Sequence, residues 1–332
     1  MCLKRIVAVA LLTTLAFGAD AIRNAALSAG LKAIPANQYE IDKLIDTNPD
    51  NQLSRQKIEL GKMLYFDPRL SSSNLISCNT CHNLALGGDD ENPTAIGHLW
   101  STNPQHLNSP TVYNAVFNER QMWDGRFANL ETQAGGPMVN EVEMASSHEL
   151  ILERIKANPG YLRLFKRVFG RGNAVTMENV QKAIAAFERT LVTPAPFDAY
   201  LLGEDNALTK KEKRGLTLFI QKGCTACHTG LGLGGSMQPF PLNGEYKYAH
   251  IGGFTGNEHN LTKVPTLRNI SQTAPYFHNG AVATLKEAVE IMAQTQLGIE
   301  LSPNETDDIV TFLQTLKGKK PKIVYPDLPD IE

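Results

Sequence analysis

Apolar residues recur at helical intervals through most of the 332-residue chain. Between Thr176 and Val192, the residues Val180, Ile184, Phe187 and Leu191 fall three or four apart and so share one helical face. Four pairs announce helix starts: Ser146 with Glu149, Thr209 with Glu212, Thr284 with Glu287, and Ser302 with Glu305. In this S/T-x-x-E pattern, hydroxyl and carboxylate satisfy each other's backbone donors. Pro303 adds a favoured first-turn proline. No run alternates with period two between hairpin turns, so the predicted class is mostly α. The segments from Ala85 to Pro110 and from Gly230 to Pro265 break the pattern, being rich in Gly, Asn and Pro. Loops of that length usually cover a site or are disordered.

The pattern also divides the chain. Thr193-Pro-Ala-Pro196 interrupts the helical periodicity, and a short theme occurs on each side of it. Gly61-Lys-Met-Leu-Tyr65 leads into one cysteine pair and Gly215-Leu-Thr-Leu-Phe219 into another; Cys78 follows Gly61 by 17 residues, whereas Cys224 follows Gly215 by nine. Two related domains with different loops would produce this, and the length exceeds a comfortable single core. The expected units are residues 22–193 and 194–318, with a tail over 319–332.

The N-terminus has a different character. Lys4 and Arg5 precede an apolar run from Ile6 to Phe17, followed by small residues at Gly18, Ala19 and Ala21. This layout predicts a secretory signal peptide over residues 1–21, cleaved near 19–21. The run falls short of the ~20 residues a spanning helix needs, so no stable membrane anchor is expected. Cys2 precedes the run and should leave with it. The mature protein should be exported, to the periplasm if the source is Gram-negative. Composition adds exclusions: charged residues at 20% and a net charge of -2 argue against long disorder and against a nucleic-acid binder.

The four remaining cysteines occur as Cys78-Asn-Thr-Cys81-His82 and Cys224-Thr-Ala-Cys227-His228. With five Cys and eight His, chance would supply one such motif only about 0.002 times in this length. C-x-x-C-H is a c-type haem attachment signal. Positions i, i+3 and i+4 share a face of a helical turn, so both thiols can bond one haem edge while the imidazole reaches the iron. A four-cysteine zinc site would leave both histidines unexplained, and a redox pair would need a thioredoxin-like βαβ pattern that is absent. His82 and His228 are therefore the expected proximal ligands of two covalently bound haems.

The sixth ligand decides what each iron does, because a closed iron transfers electrons and an open one can bind substrate. For the second haem, Met237, His250, His259, His278 and Met292 are all candidates from spacing alone. For the first, His98 and His106 are nearest, both in the long loop.

Several further motifs, in order, resemble the bacterial di-haem cytochrome c peroxidase family. They are Gly97-His98, Asn108-Ser-Pro-Thr-Val112, Gln121-Met-Trp-Asp-Gly-Arg126, Gln133-Ala-Gly-Gly-Pro137, Val142-Glu-Met144, Pro265-Thr-Leu-Arg-Asn269, Ala274-Pro-Tyr-Phe-His-Asn-Gly280 and Gln296-Leu-Gly298. The resemblance runs from about Leu60 to the C-terminus. It implies two cytochrome c-like domains, an N-terminal peroxidatic haem and a C-terminal electron-transferring one. It further implies that His98 closes the peroxidatic iron in the oxidised state and that Met292 is the axial ligand of the other haem. Trp123 would lie between the haems, while Gln133 and Glu143 would stand over the open iron. Asn108, with the backbone carbonyls of Thr273 and Pro275, would form a calcium site.

Taken alone, Glu143 reads as a solvated charge after a Gly-Gly-Pro turn. In the context of the resemblance it becomes the acid–base group for hydrogen peroxide reduction, with Gln133 holding peroxide. The electron donor implied is a small soluble cytochrome c or a cupredoxin, and the assembly a homodimer. Reduction of the Met292-ligated haem would move the His98 loop away. Two other readings stand beside this one: a di-haem electron-transfer cytochrome with both irons closed, and a di-haem enzyme oxidising a protein substrate. Relatives resembling the latter carry Tyr where this chain has Met292 and lack the distal histidine.

Overall fold

The computed structural model describes residues 19–330 apart from Thr47. The expected leader lies outside the described residues except at its last three positions. No helix among the described residues is long and apolar enough to cross a membrane.

The chain forms helices α1 (Ala19–Ser28), α2 (Gln38–Ile45), α3 (Arg55–Phe66), α4 (Cys78–Cys81), α5 (Leu130–Val139), α6 (His148–Ala157), α7 (Pro159–Phe169), α8 (Met177–Arg189), α9 (Pro196–Leu201), α10 (Lys210–Gln221), α11 (Leu285–Leu297) and α12 (Pro303–Gln314). The one sheet among the described residues is a pair of three-residue strands, β1 (Met237–Pro239) antiparallel to β2 (Leu261–Lys263), within the second long loop. The mostly α class is thus observed, with long irregular connections.

Two helix crossings organise the packing: α3 against α8, and α10 against α12. Each has a glycine at its closest approach. A Cβ on Gly61 would lie 1.8 Å from the carbonyl oxygen of Ala183, and one on Gly215 would lie 1.9 Å from that of Asp308. Only a residue without a Cβ allows backbones this near. The repeated glycine theme in the sequence is therefore a repeated helix crossing. Leu60, Leu64 and Tyr65 meet the anticipated stripe of Val180, Ile184, Phe187 and Leu191 in the first core. Leu216 and Phe219 meet Ile309, Phe312 and Leu313 in the second.

Reciprocal caps form at Thr209–Glu212 and Ser302–Glu305. Thr284 accepts from the Glu287 amide, but the Glu287 carboxylate instead holds Lys247 and Tyr248, so only half of that box exists. At α6 the cap is Ser147, one residue later than expected. The Ser146 amide donates instead to the Met138 carbonyl (2.9 Å), which ties that residue to the end of α5.

Each end of the described chain packs on the core built mainly by the other half. Ala26 and Leu31 enter the second core, and the Ile34 amide donates to Asp198 (2.8 Å). Residues 319–330 return over the first half, where Tyr325 packs on Phe66 at 4.8 Å between ring centroids. Arg69 and Asn158 both donate to the Pro329 carbonyl, at 2.8 and 3.0 Å.

Candidate active site

The first C-x-x-C-H stretch folds as the single turn α4, where the His82 amide donates to the Cys78 carbonyl (2.9 Å). That turn brings Cys78, Cys81 and His82 to one cavity. The Nδ1 atom of His82 lies 2.9 Å from the Pro110 carbonyl. A ring N–H at that position leaves Nε2 as the nitrogen with a lone pair, the form that ligates a metal. Burial pushes the His82 pKa down, which keeps the ring neutral.

Opposed functional groups reach the same cavity from α5 and the turn after it. Gln133 lines it from α5, with its amide nitrogen 3.9 Å from the Met122 sulfur. The Gly-Gly-Pro stretch is not the turn that a solvated Glu143 would follow; Gly135, Gly136 and Pro137 are all helical. A Cβ on Gly135 would lie 1.9 Å from the side-chain amide nitrogen of Gln181, so a larger residue there would displace that side chain. Beyond α5 the chain folds back, with the Met144 amide donating to the Pro137 carbonyl (3.2 Å). This turn carries Glu143 into the cavity wall, where Asn140 Nδ2 donates to its carboxylate (3.0 Å). Burial raises the Glu143 pKa, while Arg126 and the Asn140 hydrogen bond pull it partly back. A carboxyl whose pKa is raised is better matched to taking and returning a proton than an ordinary one.

His98 is not among the residues lining this cavity. Its Nδ1 lies 3.4 Å from Ser72 Oγ, and the chain beyond it exposes Leu99 and Trp100, both with left-handed backbone. Gly97, immediately before it, abuts the Glu143 turn: a Cβ there would lie 2.0 Å from the Val142 carbonyl. The His98 loop and the Glu143 turn are therefore in direct contact. His106 is also outside the cavity lining.

Cys224, Cys227 and His228 line a second cavity. Here Nδ1 of His228 lies 3.0 Å from the Leu233 carbonyl, and burial again pushes the ring toward its neutral form. Of the five candidate sixth ligands, Met292, on α11, and His278 line this cavity. Met237 is turned against Gly125, and His250 and His259 are exposed. His278 stands among Trp123, Phe240, Tyr246 and Phe254, with Nε2 buried and without a partner. Burial lowers its pKa to about 4, so Nε2 or Nδ1 carries a single proton at neutral pH.

Trp123 lines both cavities. Its indole N–H donates to the Asn108 carbonyl (2.9 Å), and the Asn108 amide donates to the His278 carbonyl (2.8 Å). This chain of bonds joins the two halves at the point where the cavities meet. Thr273 and Pro275 line the second cavity together with Asn108.

The donor set fits haem better than the other chemistries of cysteine. Burial raises the pKa of all four thiols, that of Cys81 to about 12 and that of Cys224 to about 11. Disulfide exchange needs a thiolate, which this burial disfavours. The two pairs line separate cavities, and no group of three or more His, Cys, Asp and Glu is gathered among the described residues. Each cavity pairs two thiols with a backbone-anchored imidazole, and the second adds an orphaned His278 nitrogen able to bond a haem carboxylate.

Comparison with known proteins agrees. Residues 55–206 match the di-haem cytochrome c peroxidase family model, and residues 212–317 match that of cytochrome c. A cytochrome c551 peroxidase of Pseudomonas aeruginosa is 44% identical over 94% of this chain and 90% of its own. The chain belongs to the di-haem cytochrome c peroxidase family. Another member, the cytochrome c551 peroxidase of Nitrosomonas europaea, is 47% identical over 91% of this chain and 90% of its own. Among solved structures, a MauG-like protein associated with microbial copper homeostasis superposes with a TM-score of 0.73 at 27% identity, covering 82% of this chain and 92% of that one. As a member of this family, the chain carries two c-type haems.

Sequence reasoning missed several residues in or beside the first cavity. Asn140 and Arg126 tune Glu143, and neither carries a local signal of that role. Glu188 lines the first cavity with Oε2 buried and unpartnered, and burial raises its pKa to about 8. A signal for it existed: Glu188 follows Ile184 by four, which places a charge on the apolar stripe of α8. Lys263, buried where the cavities meet, had no such signal.

Proposed function

We propose that this peroxidase works in the periplasm, reducing hydrogen peroxide to water with electrons from a small soluble c-type cytochrome or cupredoxin. The observation that carries the reading is the asymmetry of the two cavities. Gln133 and Glu143 converge on the first, whereas the second offers Met292.

When bound, the haems supply the iron that accepts peroxide and the reducing equivalents that cleave it. The chain's own residues do the rest. The Gln133 amide donates a hydrogen bond that orients peroxide. The Glu143 carboxylate takes the proton from the near peroxide oxygen and returns it to the far one, which leaves as water. Trp123, in contact with both cavities, provides the packed route between them. Two electrons and two protons are consumed as one peroxide yields two waters. Peroxide-dependent oxidation of a reduced small cytochrome, absent when peroxide or the enzyme is omitted, is the expected assay result; a protein that carries both haems yet oxidises no donor would be an electron carrier instead.

The His98 loop is proposed as the gate. Its placement outside the first cavity corresponds to the arrangement in which Glu143 acts, and the contact of Gly97 with the Glu143 turn supports movement of the two loops together. Replacing His98 with Gly should allow the oxidised protein to bind peroxide without prior reduction. Continued dependence on reduction, followed by the Soret spectrum, would assign the gate to another group.

A calcium ion held by Asn108 and the carbonyls of Thr273 and Pro275 is supported by their shared position at the junction of the halves. We further assign a homodimer and export by the N-terminal leader on the strength of the family resemblance and the leader's layout. The reading as an oxidase of a protein substrate is weaker. The methylamine utilization protein MauG of Methylorubrum extorquens is 36% identical, below the two peroxidases, and this chain has Met292 rather than Tyr.

A further inference from the structure

Lys263 ends β2, opposite Met237 in the register, and its amide donates to the Trp123 carbonyl (2.8 Å). Its side chain belongs by sequence to the second half but lines both cavities. The residue is only 4% exposed. Among the described residues, no carboxylate pairs with its ammonium. Asp124, the acid whose charge it feels, is engaged by Arg126 at 2.8 Å. A buried lysine without a counter-charge is strongly disfavoured, and the deficit appears as a pKa lowered by burial to about 8. Such a group calls for an anion within the cavities it lines, and a haem brings two carboxylates into each. Phe254 and Lys263 are the two second-half residues in the lining of the first cavity, and of these Lys263 carries the charge, so the first cavity is taken as its site.

We propose that Lys263 binds a carboxylate of the haem in the first cavity and, as a fixed positive charge beside that iron, holds its reduction potential up. The role rests on the two-haem reading and makes Lys263 a positioning residue contributed by one half to the cofactor of the other. Hydrogen bonding and charge near a haem are recognised levers on its potential. Loss of the cation favours the oxidised, more positive iron, so the potential must fall.

Potentiometric titration of the purified holoprotein tests this, with each haem followed by its own absorbance bands. Lys263→Met and Lys263→Gln should shift the first haem's reduction equilibrium at least tenfold toward the oxidised form, about 59 mV for a one-electron couple. The second haem should move less, and Lys263→Arg should stay near the wild-type value. Lys263→Gln keeps a side chain of similar length with a polar end, which guards against failure of the Met variant to fold. An unchanged first-haem potential in both neutral variants would overturn the assignment, as would an Arg variant that shifts as far as Met. Haem content, read from the pyridine haemochrome, separates the two readings: two haems per chain with unmoved potentials sinks the role of Lys263 alone.

Discussion

Replacing Glu143 with Ala should lower peroxide turnover by about 10²–10⁴-fold, the range that a positioned acid–base group supplies. Both haems should remain attached, because Cys78, Cys81, Cys224 and Cys227 lie on separate turns that the substitution does not touch. The physical reason is specific to this wall. Glu143 is the carboxylate that the turn after α5 brings to the first cavity, held there by Asn140. The pH profile gives an independent reading. Burial raises the Glu143 pKa, so the base form needed to take a proton from peroxide is lost as pH falls through that raised pKa. The acid limb of the wild-type profile should therefore lie higher than an unperturbed glutamate would place it and should be missing from the residual activity of the variant. Retention of most activity by Glu143→Ala would assign the proton transfer to another acceptor, for which Glu188, unpartnered on the same cavity, is the alternative within reach.

The second large effect concerns stability. Arg268 and Asp198 form a fully buried pair with two hydrogen bonds, at 2.9 and 2.7 Å. Asp198 also accepts from the amides of Ile34 and Ala195, and the Arg268 guanidinium also donates to the carbonyls of Leu231 and Lys32. One ion pair thus ties the segment after α1, the linker before α9 and the loop carrying the second haem motif. Arg268→Met removes one partner and leaves the Asp198 charge buried, a change that typically costs about 3–5 kcal/mol. Denaturant unfolding should show that loss for Arg268→Met. A loss below about 1 kcal/mol, the level of exposed pairs, would mean that the segment is held by apolar packing instead.

How much of this was legible in the sequence depends on the range of the interaction. The haem motifs were readable because their chemistry lies within five consecutive residues. The glycine theme was visible as a repeat, although its cause, a backbone approach to Ala183 or Asp308, appears only with the partner helix in place. The stripe from Val180 to Leu191 fixed the buried face of α8, and Glu188 could have been found there as its one anomaly. Lys263 and Asn140 had no comparable signal: Lys263 closes a three-residue strand, too short to show a period, and Asn140 lies just past the end of α5. The cap at Ser147 was misplaced by one residue because the competing use of Ser146, bonding back to Met138, is tertiary. The crossing of the chain ends was equally hidden: nothing local in residues 22–34 shows that they pack on the second core. The position of His98 is a matter of loop arrangement, for which its motif specifies the residue and not the state.

The central claim is that the two cavities divide the work, one binding and reducing peroxide while the other stores and passes an electron. Spectra of the half-reduced holoprotein before and after one equivalent of hydrogen peroxide test it most directly. The bands of the reduced, Met292-ligated haem should be lost promptly on mixing, and Glu143→Ala should slow this loss by orders of magnitude. A reduced second haem that persists in the presence of peroxide, with both haems intact, would contradict it.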